Sequence, residues 1–429
     1  MSTLTLDDLR SALAGTAVAF RAVNRLMPAG GPHDKVFPPT YMKERGATTK
    51  YAVEARVVDG TVKETVLLDS VASQANRMEE ALLEAWNRQE LAFPLVRVDF
   101  RMTDDLADLD TLSALQAPHR IADALLRDSL LDGVPFRASS VGKAITDARP
   151  DHATPMYAYC PTALVFGVWD STGPKGGLGA KFQRAMVSEI VGVGAQPGVK
   201  TASRLDPAAI QKGVEVFHDP ANPDEWLADK EAAGGKKAKL FSRGKGGKKD
   251  AGRPASINHG NIPPTIDSSA GGVTIEYALH TVVLSLPALR RLRFATTTAG
   301  ARLDDRAARD AAELAARTAL AALGLAAIIH QHERGYDLRS RSLLVGTGPL
   351  SLEVVDRDGA VRPVALDRDG ANQLVRDAAA AAAAHGLVWD ATPIDLTPAP
   401  KLVHIIRESR KLASAEGDGE GEADADAGS

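Results

Sequence analysis

Cysteine is nearly missing: Cys160 is the only one among 429 residues. One chain can therefore build neither a disulfide framework nor a cysteine-based zinc site, and a reducing, cytoplasmic setting is expected. Cys160 precedes a proline in an apolar run, so it reads as core and not as a nucleophile. Aromatic residues are sparse at 5%. The core must then be built from Leu, Val, Ile and Ala. Long apolar runs are missing too. Residues 153–169 are interrupted by Pro155 and Pro161, and 318–329 is too short for a bilayer, so no membrane partner is expected. The second run reads as a buried helix. The first ten residues lack the apolar stretch of a signal peptide.

What is present is an ordinary globular composition, 44% hydrophobic and 25% charged, which excludes global disorder. The net charge of −4 is unevenly spread. Residues 416–429 hold six acids and no base; without them 51 basic side chains face 49 acidic ones. The folded part is thus slightly basic, which leaves a nucleic-acid partner open.

Along the chain, apolar residues at three- and four-residue steps predict a helix over 4–27, followed by a Pro- and Gly-rich loop over 28–39. Strands are expected at 51–58 and 62–68 around an Asp59-Gly60 turn. Asp69 is expected to cap a helix over 70–88. A short strand is expected at 93–100, helical pieces over 105–131, a strand buried on both faces over 159–169 and a helix over about 180–191. Residues 273–286 read as strand, the Ala-rich stretch up to about 332 as a long helix, 343–345 and 352–355 as strands, and 378–384 as helix. Residues 234–250 carry seven Lys or Arg against one acid and read as a mobile surface loop. From about 413 the chain reads as a disordered acidic tail. Hairpins alternating with helices favour an α+β or split βαβ architecture.

Two junctions could face phosphates. In the first, Val71, Ala75, Met78 and Leu82 share one helix face, while Ser70, Ser73, Gln74 and Arg77 share another. A helix N-terminus directly after a strand favours an anion. The alternative is a solvated polar face on which Arg77 pairs with Glu80 or Glu84. In the second, four glycines and Lys175 follow Ser171, ahead of Lys181, Arg184 and Ser188 on the expected helix. Glycines admit a ligand close to the backbone. The Walker spacing fails at Ala180-Lys181-Phe182, and Gly177 and Gly179 lack the third glycine of a dinucleotide fingerprint, so a nucleotide-binding enzyme is weakly supported and no cofactor is expected.

The strings LLDSVASQANRMEEAL (67–82), APHRIADALLRDS (117–129), PTALVFGVWDSTGPKGGLGAKFQRAMVSEIVG (161–192) and INHGNIPP (257–264) resemble the backbone subunit of a type I-U, now I-G, CRISPR interference complex (Cascade), a member of the RAMP superfamily. The resemblance spans roughly residues 35–295 and is most specific at 161–192. It implies a modified RRM or ferredoxin-like fold over 1–412 with thumb and finger insertions, the segment 234–264 contributing one of them. It implies a non-catalytic subunit that polymerises along a CRISPR RNA and presents it to a target DNA strand. Its implied partners are further copies of itself, the large subunit, the RNA-end-binding and processing subunit, and a recruited helicase-nuclease. Ser70, Ser73, Gln74, Arg77, Ser171, Lys175, Lys181, Arg184 and Ser188 are then the expected RNA contacts. Asn258 and His259 are expected to touch RNA or a neighbouring subunit. No RNP-type aromatic motif is evident, despite Tyr159, Phe166 and Trp169. A rival reading is a metal-dependent RAMP ribonuclease using Asp34, although a lone Asp in a Pro/Gly loop is more often a turn residue. His330 and His332 at i and i+2 point apart on a helix, so they are expected to form a surface helix end and no metal site.

Overall fold

The computed structural model describes residues 2–42, 46–173, 179–222, 225–242 and 251–417, with the side chains of the last helix described as far as residue 413. It divides into two compact units: Met1–Pro39, Tyr51–Gln196 and Thr274–Val403 form the first, and Thr40–Lys50, Pro197–Val273 and His404–Ser429 the second.

The first unit opens with helix α1, Leu6–Ala14, closed by a Thr5–Asp8 capping box. Strand β1, Ala17–Pro28, follows at once. The expected helix over 4–27 is therefore cut in two. Phe20, Ala22, Asn24 and Leu26 are buried, which is a period of two. Leu6, Leu9, Leu13, Ala17 and Phe20 fall at three- and four-residue steps across the break, so the pattern looks helical throughout. The Asp59-Gly60 hairpin forms as expected: β2, Val53–Val58, and β3, Thr61–Asp69, meet at a turn with both central residues at positive φ. Helix α2, Val71–Asn87, is capped by Ser70, whose side chain accepts from Ser73 N at 3.2 Å. Asp69 itself is the last residue of β3.

Strand β4 is Met186–Val193 and strand β5 is Tyr277–Ser285. Helix α3, Arg306–Arg334, starts at the Asp305 cap and ends at Gly335, whose φ of 86° suits the stop. Strands β6, Leu352–Asp356, and β7, Val361–Ala365, precede helix α4, Arg368–Ala383. The central order is β6-β1-β5-β4, and every neighbouring pair among these is antiparallel. With α2 between β1 and β4, and α3 between β5 and β6, this is the βαββαβ plan of a ferredoxin-like or RRM-like α+β fold. The β2–β3 hairpin extends the sheet beyond β4, and β7 extends it beyond β6.

Among the described residues one helix is long and apolar enough to cross a bilayer, but 94% of that apolar window of α3 is buried inside the protein. It packs against α1, α2, α4 and the sheet. Alanines admit this crowding, and Gly324 sits where a Cβ would lie 3.2 Å from Leu284. His330 is buried at 5% exposure, with its Nε2 2.7 Å from Asn372 Oδ1, so it is not on a surface helix end.

Two further expectations change. Residues 159–169 are not a central strand. They form helices Thr154–Tyr159 and Pro161–Phe166, then the two-residue strand Val168–Trp169. Proline at the first helical position and Gly167 at φ 83° just past the end are helix punctuation. Residues 180–191 are not a helix. Lys181–Phe182 pairs with Val168–Trp169, and β4 follows. A small second sheet, in the order Thr111–Ser113, Val96–Asp99, Ile394–Pro398, Ser129–Leu131, Val134–Pro135, completes this unit.

In the second unit, Lys200–Arg204 pairs with Ile262–Asp267, so part of the expected polar loop at 257–267 is strand. Phe217 and Phe241 are buried there, and Phe241 N donates to Val216 O at 2.9 Å. The beginning of the basic stretch 234–250 is thus anchored by Phe241, while residues 243–250 lie outside the described residues.

Candidate nucleic-acid interface

The first junction is built around a buried carboxylate. Asp69 has no exposed surface. It accepts from Ser73 Oγ at 2.7 Å, Gln74 Nε2 at 2.6 Å and Arg77 Nε at 2.9 Å, with Arg339 Nη2 at 3.6 Å. Arg77 also donates to the carbonyls of Asp337 and Leu338. A buried carboxylate requires such partners. The network continues: Gln74 Oε1 accepts from Ser188 Oγ at 3.0 Å, and Ser188 Oγ lies 3.0 Å from His280 Nε2. His280 Nδ1 meets Tyr336 OH at 3.3 Å, which is 2.8 Å from His332 Nδ1. Burial, with a smaller contribution from His332, lowers the His280 pKa to about 3. Burial likewise raises the Tyr336 phenol and lowers His332.

Gln74 and Ser188 are therefore interior residues, and Ser73 and Arg77 are turned onto Asp69. Arg77 pairs with neither Glu80 nor Glu84; Arg334 takes both. The structure brings Ser188 to this network because it lies on β4, opposite α2, and not on a helix with Lys181 and Arg184.

The second junction projects outward. In the ribbon formed by Val168–Trp169 and Lys181–Phe182, Val168 and Phe182 point inward at 7% and 4% exposure. Trp169 and Lys181 point out by strand alternation. Trp169 is 57% exposed, and Lys181 Nζ lies 5.1 Å from its ring centroid. Asp170 locks the loop neck: its N–H donates to Ala180 O at 2.9 Å, and its buried carboxylate accepts from Arg137 Nη2 at 2.6 Å. A Cβ on Gly179 would come within 3.0 Å of Asp170 O, and one on Gly173 within 3.1 Å of Gly179 Cα. Glycine at both positions lets the two sides of the neck approach this closely without displacing their neighbours. Ser171 is exposed beside this neck. Lys175 lies outside the described residues.

Arg184 is exposed and passes over Gly167, where a Cβ would lie 3.0 Å from its Cγ. Beneath it, Arg120 makes a two-pronged pair with Glu79 at 2.6 and 2.7 Å and donates to Gly167 O at 3.1 Å. Burial raises the Glu79 carboxyl to about 7 against the lowering pull of Arg120. Arg120 and Arg137 are thus neutralised by buried carboxylates, whereas Lys181 and Arg184 make no ion pair among the described residues. Glu79, Arg120 and Trp169 were not expected as parts of a site, although all three lie within the strings that carried the resemblance.

The sheet face opposite α2 and α3 carries Arg21, Val23, Leu279, Thr281, Val283 and Val187, with Val23 and Val187 43% and 42% exposed. Its arginines are engaged: Arg21 with Glu353 at 2.5 Å, and Arg25 with Asp59 at 3.0 Å while stacked 4.3 Å over Tyr277.

In the second unit Asn258 adopts a left-handed φ of 59°, and its carbonyl accepts from Arg204 Nη2 at 3.1 Å. His259 is exposed and meets the Trp226 ring edge-on at 6.5 Å. Asp34 accepts from Lys35 N at 2.8 Å, a turn contact. Among the described residues no group of three or more His, Cys, Asp or Glu is placed to hold a metal.

No curated protein matches the chain. The family model for CRISPR-associated protein GSU0053 matches residues 20–197, less than half of the chain but including β1, the hairpin, α2, the outward ribbon and β4. Over residues 20–197 the chain is therefore similar to a CRISPR-associated, RAMP-like family.

Proposed function

We propose that this protein is the non-catalytic, CRISPR RNA-binding backbone subunit of a type I-G Cascade complex, polymerising along the guide and presenting it to target DNA. The observation that carries this reading is the outward ribbon at 168–182. It lies within the segment that matches a CRISPR-associated family, on an RRM-like core, and it exposes Lys181 and Arg184, which make no ion pair among the described residues. Exposed cations that make no ion pair suit a sugar-phosphate backbone. Sequence would then be supplied by base pairing. Gln74, Ser188, Ser73 and Arg77 serve this reading indirectly, by fixing α2 and β4 beneath the surface. On this reading the neighbours are further copies, the other Cascade subunits and a recruited helicase-nuclease.

The test is to co-express the protein with its partner subunits and a CRISPR array, purify the assembly and sequence the bound nucleic acid. A discrete repeat–spacer RNA is expected. Random fragments, or none, from an intact assembly would reject the proposal.

A further inference from the structure

Among the exposed large apolar side chains, Trp169 stands out by its setting. An exposed indole offers a large flat apolar face with a polar edge, a side chain suited to contact surfaces. Here the exposure is enforced. Val168 and Phe182 are buried on the inner side of the ribbon, which fixes the register Trp169↔Lys181 and turns Trp169 outward. Asp170, one residue on, is itself buried and held by Arg137, so the backbone at 168–170 is pinned on both sides of the indole. A cation lies over the ring, and Arg184 emerges two residues before β4, over Gly167. Indole, ammonium and guanidinium are thus presented together from one rigid ribbon.

We propose that Trp169 is a stacking platform for one unpaired nucleobase of single-stranded RNA, with Lys181 and Arg184 on the flanking phosphates; this rests on the RNA-binding reading above. An indole face takes any base, so the contact is sequence-tolerant, as a guide-independent scaffold requires. Lys181, whose ammonium lies 5.1 Å from the ring centroid, brings a cation to the adjoining phosphate. The cations supply the salt-dependent part of binding, and Trp169 supplies a part that salt does not screen.

The experiment uses the full chain and a single-stranded RNA oligonucleotide, with a second oligonucleotide of the same length carrying abasic sugars throughout. Affinity is measured by fluorescence anisotropy across a salt series. Trp169→Ala should weaken binding of the intact RNA by about tenfold or more, with the salt slope unchanged, and Trp169→Phe should recover most of the loss. Wild-type protein should bind abasic RNA about as weakly as Trp169→Ala binds intact RNA, and Trp169→Ala should not weaken abasic binding further. Equal wild-type affinity for intact and abasic RNA overturns the stacking role while leaving phosphate binding in place, and this arm stands even if Trp169→Ala does not fold. Wild-type protein that binds neither RNA overturns the RNA-binding reading and the platform with it.

Discussion

Asp69 shows how much one residue can decide. It is a carboxylate with no exposure, held by a serine, an amide and a guanidinium. Removing Arg77 leaves the buried carboxylate with the donors Ser73 and Gln74 and, as cation, the more distant Arg339. Arg77→Ala should therefore destabilise the protein by about 3 kcal/mol, read as a lower urea midpoint at unchanged m-value. Any loss of RNA binding in that variant has to be compared with this loss of stability. His280 gives a pH dependence of defined sign. The folded protein holds it neutral down to about pH 3, whereas an unfolded histidine titrates near 6.5. Stability linked to His280 is complete above pH 6.5 and falls as the pH drops toward 3, by about 1.4 kcal/mol per unit. The stability advantage of wild type over His280→Asn should therefore shrink as urea titrations are taken from neutral pH to about pH 4. An advantage that stays constant with pH would show that the buried ring titrates as it does in water.

At the scale of elements, α3 packs closely against the sheet. Gly324 faces Leu284 and the end of Met186, so a larger side chain must push helix and sheet apart. Gly324→Leu should cost about 1–3 kcal/mol or more by overpacking, measured by denaturant unfolding. The ribbon behaves in the opposite way, because its outward side chains bear little of the fold. Reversing charge at Lys181 and Arg184 together should leave the unfolding midpoint within about 0.5 kcal/mol. The same double variant should bind RNA more weakly, with the log–log salt slope flattened by about 1.4 for two lost phosphate contacts. A slope unchanged by the double reversal would remove these residues from the interface.

For the whole molecule, binding must appear as stability. RNA at about 100 times its dissociation constant should stabilise the folded chain by about 2.7 kcal/mol, and the double reversal should abolish that gain at the same RNA concentration. Much of the architecture was legible in the chain alone. The Asp59-Gly60 hairpin, the helix after Asp69, the strand at 273–286 and the long alanine-rich helix carry local signals of turn chemistry, capping or period, and these appear in place. The strings at 67–82 and 161–192 also pointed to the CRISPR-associated family that matches residues 20–197. Where the reading failed, the pattern was ambiguous: 17–28 and 186–193 alternate in burial among small and branched residues that suit helix and strand alike, and only pairing across the sheet selects the strand. The candidate site divides the same way. Lys181 and Arg184 were expected as cations on one face of a helix over about 180–191; that helix does not form, and both are exposed from the ribbon and the turn after it. That Gln74 and Ser188 lie inside, joined to each other across 114 positions, and that Trp169 lies outside, depended on which face of β4 meets α2 and on which strand closes the 168–182 ribbon. Those are long-range choices, made by burying Val168 and Phe182 under the ribbon and Asp69 beside α2, and local sequence carries no signal for them.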